Sequence, residues 1–312
     1  MILFTADWHF KIGQKNVPKE WARNRYDMFF QIISDLEDKV DLHVIGGDLF
    51  DRVPSMDELQ LYFNFITGIK VKTIIFDGNH EATRKYQTFL KNLAAITKVI
   101  NPLVEIVADT VEYDKFTILP YCNLHKKGSI EACNTDKVLM THVRGEIPPH
   151  VVPEVDLDRF KDFPLVYTGD LHSHSNTQRN LVYPGSPMTI GFHRNKVKTG
   201  GLLIDSNDLT KWEWIEFKLP QLIRLTVDDP DLMISTPYDH TIYELEGSVS
   251  ELSNIKDSAL LDKKVVRRQT EATLDLSGGL TITEELYKYL KDILQLSPSE
   301  INSVMKEHDV KN

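Results

Sequence analysis

The chain has 312 residues, 41% of them hydrophobic and 26% charged, which is enough to bury a sizeable core and too apolar for a disordered chain. Its formal net charge of −10 excludes a simple basic nucleic-acid coat protein, but leaves room for a metal enzyme whose carboxylates are neutralised by cations. No run reaches the roughly 18–20 apolar residues of a membrane span, and Met1–Asp7 lacks the charged and apolar regions of a secretory leader. Cys122 and Cys133 have no Cys-x-x-Cys spacing, so a reducing, cytoplasmic setting is expected.

In chain order, Ile2–Thr5 reads as a strand, followed by a helix over Lys19–Lys39 with Trp21, Tyr26, Phe29, Phe30, Ile33 and Leu36 near helical spacing. Leu42–Ile45 is a second strand. Ser55 and Glu58 have capping-box spacing, and open a helix with the apolar stripe Leu59, Phe63, Ile66. Lys72–Phe76 reads as a strand, Ala82–Leu93 as a helix, and Phe116–Leu119, Val138–Thr141 and Leu165–Thr168 as further strands. This alternation predicts a layered α/β fold. Gly201–Asp205 and Trp212–Lys218 read as antiparallel strands, and Pro220 ends the run. Leu222–Val227, Thr241–Leu245 and Lys264–Arg268 read as short strands of a small α+β unit. Ser277-Gly278-Gly279 then precedes helical patterns at Thr283–Leu294 and Ser297–Met305. The expected domains are 1–219, 220–275 and a helical tail, 276–312.

The predicted strands end in chemistry. Asp7-Trp8-His9, Gly46-Gly47-Asp48-Leu49-Phe50-Asp51, Gly78-Asn79-His80-Glu81, His142 and Gly169-Asp170-Leu171-His172-Ser173-His174 each follow one. Ligands of open α/β sheets bind beyond the carboxyl ends of the strands. Asp7 and His9 are two apart on an extended segment and point to one side. Carboxylate, imidazole and amide oxygen together suit borderline divalent ions such as Mn²⁺, Fe²⁺ or Zn²⁺. Each motif alone is weak; a surface turn explains Asp-x-His well. The ordered set is strong, because metal ligands must converge.

This order of motifs is similar to the calcineurin-like metallophosphoesterase superfamily. Within it, Gly47-Asp48-Leu49-Phe50-Asp51 and Tyr183-Pro184-Gly185-Ser186-Pro187 resemble the SbcD-type nuclease subunits of DNA repair and recombination, in a compact, phage-type form. The resemblance covers about residues 1–220 well and the next unit loosely. It implies a four-layer α/β/β/α sandwich with a small α+β capping domain. It also implies two divalent ions, usually Mn²⁺, with Mg²⁺ the alternative. Carried over by position, Asp7, His9, Asp48 and His172 would hold one ion and Asp48, Asn79, His142 and Asp170 the other. His80 would face the scissile phosphate as the catalytic residue. The family pattern Gly-His-x-His is replaced here by Gly169-Asp170-Leu171-His172. In an alternative register, His172 and His174 form the ligand pair.

The implied activity is 3′-to-5′ exonuclease and single-strand endonuclease cleavage of DNA. The implied partners are an SbcC-like coiled-coil ATPase and a second copy of the chain. Two other classes fit parts of the pattern. Ser/Thr phosphatases share Gly47-Asp48, Asp51-Arg52 and Gly-Asn-His-Glu, but place glycine where Val53 stands; a protein or small-molecule phosphatase is thus the first rival, and a non-catalytic scaffold the second. Outside the motifs, His43 is expected to pack within its strand, and Asp51 and Glu81 to support the site. Arg194, Lys196 and Lys198 form a basic loop, and Lys263, Lys264, Arg267 and Arg268 a second basic cluster.

Overall fold

Alternate residues of the first strands enter different cores. Leu3, Ile45 and Ile75 pack in one hydrophobic cluster, and their neighbours Phe4, Val44 and Ile74 in another. That two-residue period is the mark of strands buried on both faces. The computed structural model describes residues 1–266, 281–294 and 296–309.

In chain order the strands are β1 (Ile2–Thr5), β2 (Leu42–Gly46), β3 (Lys72–Phe76), β4 (Ala82–Arg84), β5 (Gln87–Thr88), β6 (Val104–Val107), β7 (Val111–Glu112) and β8 (Phe116–Leu119). They continue with β9 (Val138–His142), β10 (Val166–Gly169), β11 (Leu181–Val182), β12 (Gly200–Ile204) and β13 (Trp212–Glu216). A six-stranded sheet has the order β13-β12-β1-β2-β3-β6, and a five-stranded sheet the order β11-β10-β9-β8-β7. β1, β2, β3 and β6 are parallel, as are β8 to β11, so their carboxyl ends lie together within each sheet.

The cluster of Phe4, Val44, Ile74, Phe76, Ile118, Met140 and Tyr167 fills the space between the two sheets. The outer face of the first sheet packs on α1 (Lys19–Glu37), α2 (Met56–Gly68) and α3 (Leu90–Ile100), through Tyr26, Phe29, Ile33, Phe65 and Ile66. The outer face of the second packs against α4 (Tyr121–Leu124) and the 3-10 turn Leu157–Phe160. This is the expected α/β/β/α layering. The capping box predicted at Ser55 is present in both directions.

One predicted helix is different. The pattern predicts a helix over Ala82–Leu93, yet β4 and β5 form a hairpin there and α3 begins only at Leu90. The cause is Glu81, which is fully buried; its carbonyl accepts the Phe89 N–H at 3.2 Å, and Tyr86 turns with φ +63°. Apolar periodicity carries no trace of that long-range anchoring. β6 also escapes the sequence reading, because Val104–Val107 is a four-residue run just after Pro102.

Two compact units divide the chain, Met1–Glu244 with Asp257–Lys263, and Leu245–Lys256 with Lys264–Asn312. Leu222–Val227 (β14), His240–Gly247 (β15) and Leu261–Val266 (β16) form a three-stranded sheet. The described helices of the second unit are α5 (Val249–Ser253), α6 (Ile282–Lys288), continued by a π turn over Tyr289–Ile293, and α7 (Pro298–Asp309). Arg267, Arg268, the Ser277-Gly278-Gly279 break and the expected 275/276 boundary lie outside the described residues. No helix among the described residues is long and apolar enough to cross a membrane.

Candidate metal centre

The carboxyl ends of the parallel strands of the two sheets meet, joined where His142 Nδ1–H donates to the Gly46 carbonyl at 2.9 Å. That bond commits Nδ1–H and leaves Nε2 of His142 facing the site. Asp48 sits at the middle. Its Oδ2 is 3.5 Å from His142 Nε2, 3.6 Å from His9 Nε2 and 3.9 Å from His80 Nε2. Its Oδ1 accepts the His80 backbone N–H at 2.9 Å.

The other predicted residues surround it. His9 Nε2 and His172 Nε2 are 3.2 Å apart. The Asn79 Oδ1 position is 3.0 Å from His142 Nε2, 3.2 Å from Asp48 Oδ2 and 3.3 Å from Asp170 Oδ1. Asp7 Oδ1 accepts the Asp170 N–H at 3.0 Å, while Asp7 Oδ2 and His9 Nδ1 are buried without a hydrogen-bond partner among the described residues. Donor atoms of Asp7, His9 and His172, of His9, Asp48 and His80, and of Asp7, Asp48 and His142 each lie within 4.8 Å of one another.

Lone pairs crowded at such distances, on buried groups, repel unless a cation lies between them. The donor set therefore fits divalent metal. His174 lies apart; its Nδ1–H donates to the Tyr183 carbonyl at 2.7 Å and its ring stacks on Trp214.

The backbone that carries these donors is strained. Asp7, His9, Asp48 and Asp170 all have positive φ, at +57°, +47°, +50° and +98°. Each such residue costs on the order of 1–3 kcal/mol and persists only where neighbours enforce it. Here Asp7 N–H donates to Gly47 O, His9 N–H to Asp48 O, and Phe10 N–H to Leu49 O. Glu81 secures the same loops from below: its carboxylate accepts the N–H groups of Asp48, Phe50 and Gly78 at 2.8–3.0 Å. A side chain on Gly78 would put its Cβ 2.2 Å from Asp48 Oδ1, so glycine there is what lets Asp48 reach the centre.

The Calcineurin-like phosphoesterase family profile matches residues 1–199, the part of the chain that supplies every one of these donors. The chain belongs to the calcineurin-like phosphoesterase family. It is 41% identical over 315 residues to the "Probable exonuclease subunit 1" of Escherichia phage T5, covering 97% of this chain and 96% of that protein. It is 27% identical over 287 residues to a putative phosphoesterase, 078R, of Invertebrate iridescent virus 3, covering 83% of this chain and 80% of that one. A crystal structure of the Thermus thermophilus protein TT1561 superposes with a TM-score of 0.44 at 12% identity, covering 70% of this chain and 98% of that one.

The electrostatics of this phosphoesterase centre follow from burial. Burial pushes Asp7 up to about 8, opposed by His142 and by the Asp170 N–H it accepts, and helped by the Asp48 charge. Burial also raises Asp48, but His142, His9 and His80 outweigh it and hold Asp48 below the usual carboxylate range. Burial lowers His9 to about 3 and lowers His172. His142 goes the other way: burial disfavours its charge, yet Asp48, Asp7 and Asp170 hold its proton on well above the ordinary histidine value. A calcineurin-like centre of this composition releases protons when it takes up a divalent cation.

Several supporting residues match or extend the sequence reading. Glu81, expected to support the site, does so by holding backbone. The Asp51 carboxylate pairs with Lys11 at 2.8 Å, and its carbonyl accepts His80 Nδ1–H at 2.6 Å. His43 is fully buried beside Thr5 Oγ1 and Glu37. The Tyr183–Pro187 motif braces the last ligand loop: Ser186 N–H donates to His172 O, and the Tyr183 hydroxyl to Val143 O. Arg144 escapes the sequence reading. It follows His142 by two residues, the same spacing that singles out Asp7 and His9, and it pairs with Asp170. Arg194 and Lys196 of the basic loop are ion-paired, to Glu244 and Asp239.

Proposed function

We propose that this chain is the catalytic subunit of a two-metal DNA nuclease, a 3′-to-5′ exonuclease and single-strand endonuclease of SbcD type. The observation that carries the reading is the clustering around Asp48 of donors from Asp7, His9, His142 and His172, with Asn79 between Asp48 and Asp170. The likeness to a phage protein named as an exonuclease subunit supports DNA as substrate.

In this reading Asp7, His9, Asp48 and His172 hold one ion, and Asp48, Asn79, His142 and Asp170 the other. The ions are Mn²⁺, with Mg²⁺ the alternative. Bound divalent ions lower the pKa of a coordinated water and neutralise charge on the phosphodiester. The chain's own residues do the rest. Asp48 would belong to both sets: its Oδ2 faces His9 of the first and His142 and Asn79 of the second, while its Oδ1 is held by the His80 backbone N–H. His142, fixed by its bond to the Gly46 carbonyl, directs Nε2 at the centre, where a bound cation would displace the proton that Asp48 holds there. His80 is partly exposed at the centre's edge, and its Nδ1–H is committed to the Asp51 carbonyl. In the imidazolium form Nε2 therefore carries the proton passed to the leaving oxygen, a contribution of about 10²–10⁴ in rate.

Residues 220–275 serve as the cap that orients DNA. The tail, 276–312, docks on an SbcC-like coiled-coil ATPase, and the nuclease subunit pairs with a second copy. The deciding experiment incubates the protein with Mn²⁺ and end-labelled single-stranded DNA, duplex DNA and a phosphopeptide in parallel. DNA cleavage that disappears in Asp48→Asn supports the proposal. Phosphopeptide hydrolysis without DNA cleavage overturns it in favour of a phosphatase.

A further inference from the structure

The cavity over the centre holds about 560 Å³, far more than a phosphate fills. From Asp48, Asn79 and His80 it runs to the 188–198 segment, where Met188, Ile190 and Phe192 line it. A phosphodiester offers nothing to such a wall. The group attached to it must be flat or apolar to gain from contact.

Phe192 is built as a rigid surface. The Arg224 guanidinium lies over its ring, 5.7 Å from the centroid, and is itself pinned by Asp262 at 3.0 Å. The His240 ring stands 5.8 Å away. The adjoining backbone is tied to β14 on both sides, His193 N–H to Leu222 O at 3.0 Å and Arg224 N–H to His193 O at 2.9 Å. Lys198, exposed on the same cavity wall, makes no ion pair among the described residues, unlike its neighbours Arg194 and Lys196.

We propose that the apolar end of this cavity is a subsite for one unpaired nucleobase beside the scissile phosphate, with Phe192 as the stacking platform and Lys198 as the contact to the flanking phosphate. The inference rests on the nuclease reading above and adds a substrate requirement to it. A base inside a duplex has both faces covered, so a strand must present at least one frayed or single-stranded nucleotide to fill the subsite.

The test uses the full chain with Mn²⁺, a single-stranded oligonucleotide, and the same oligonucleotide with an abasic residue placed in turn on each side of the cleaved bond. In the wild type, one of the two abasic substrates raises KM by roughly fivefold to a hundredfold, the range expected for one stacked base, with kcat little changed. In Phe192→Ala the ratio of abasic to natural KM falls to about one, and in Phe192→Tyr it is retained. Because the readout is a ratio within each protein, a general loss of folding does not imitate it. Equal KM for abasic and natural strands in the wild type overturns the subsite while leaving the nuclease reading intact, as does an unchanged ratio in Phe192→Ala. Absence of any DNA cleavage by the wild type removes the nuclease reading and the subsite with it.

Discussion

Arg144 holds Asp170 with two charge-assisted hydrogen bonds, Nε to Oδ2 at 3.1 Å and Nη2 to Oδ1 at 3.2 Å. The carboxylate is nearly buried and the guanidinium is partly open to the cavity. A carboxylate among Asp7 and Asp48 adds negative charge that a neutral imidazole would not, and the guanidinium offsets it and fixes its rotamer. Arg144→Gln is therefore expected to weaken Mn²⁺ binding by about 10–100-fold, as loss of a ligand-orienting partner typically does. Isothermal titration with Mn²⁺ checks this. Arg144→Lys keeps the charge without the fork and falls between the two.

Glycine at position 78 is a packing requirement. An added Cβ would lie 2.2 Å from Asp48 Oδ1 and 2.5 Å from the Asp48 nitrogen, and backbone cannot yield as a flexible side chain would. Gly78→Ala is expected to destabilise the fold by about 1–3 kcal/mol, in the range of overpacked cores. It should also displace Asp48, with activity falling further than the stability loss explains. Urea denaturation and single-turnover hydrolysis measure the two effects separately.

Glu81 spends both carboxylate oxygens on backbone donors of the Asp48 and Gly78 loops. Glu81→Gln keeps the size but turns an amide NH₂ toward N–H groups. One or more buried donors then lose their partner, at about 1–3 kcal/mol each. Thermal unfolding should shift downward, and Mn²⁺ should restore only part of the difference.

His43 gives a pH dependence remote from the ligands. Burial lowers its pKa below 6.5, against the opposing pull of Glu37. The unfolded chain thus takes up a proton below about pH 6.5 that the folded chain does not, so this contribution is complete above that pH and is lost as pH falls. In His43→Asn the decline of stability between pH 7.5 and 5 should be shallower than in the wild type. Parallel slopes in urea melts at pH 7.5, 6.0 and 5.0 would contradict it.

Metal removal should lower stability. Asp7 and Asp48 are buried beside one another's field, and a cation that binds only the folded state stabilises it by mass action. Dialysis against EDTA should lower the melting temperature. Back-titration with Mn²⁺ should raise it again and release protons, seen with a pH indicator in weak buffer.

The gathering of residues at the strand ends is legible in the sequence because the strand-end motifs are local. Parallel strands bring their carboxyl ends together wherever the helices lie, so the meeting of Asp7, His9, Asp48, Asn79, His142, Asp170 and His172 at one place is readable without coordinates, as is the Ser55 capping box. The surroundings of Asp170 and His174 depend on the turn itself: His174 donates to the Tyr183 carbonyl and stacks on Trp214, while Asp170 lies beside Asn79 and pairs with Arg144. The hairpin at Ala82–Thr88 is illegible because what holds its base, and delays the helix to Leu90, is Glu81, itself held by loops distant in sequence.

The sequence by itself determined the layered α/β class and which residues stand at the strand ends, since period-two strands and strand-end motifs are properties of short segments. Only the tertiary structure decided what those donors rest on: the positive φ of four of them, the Glu81 anchor beneath, Arg144 on Asp170, and Phe192 brought to the far wall of the cavity. Those relationships join residues from separate loops and strands, and no local pattern of side chains encodes which distant backbone will satisfy them.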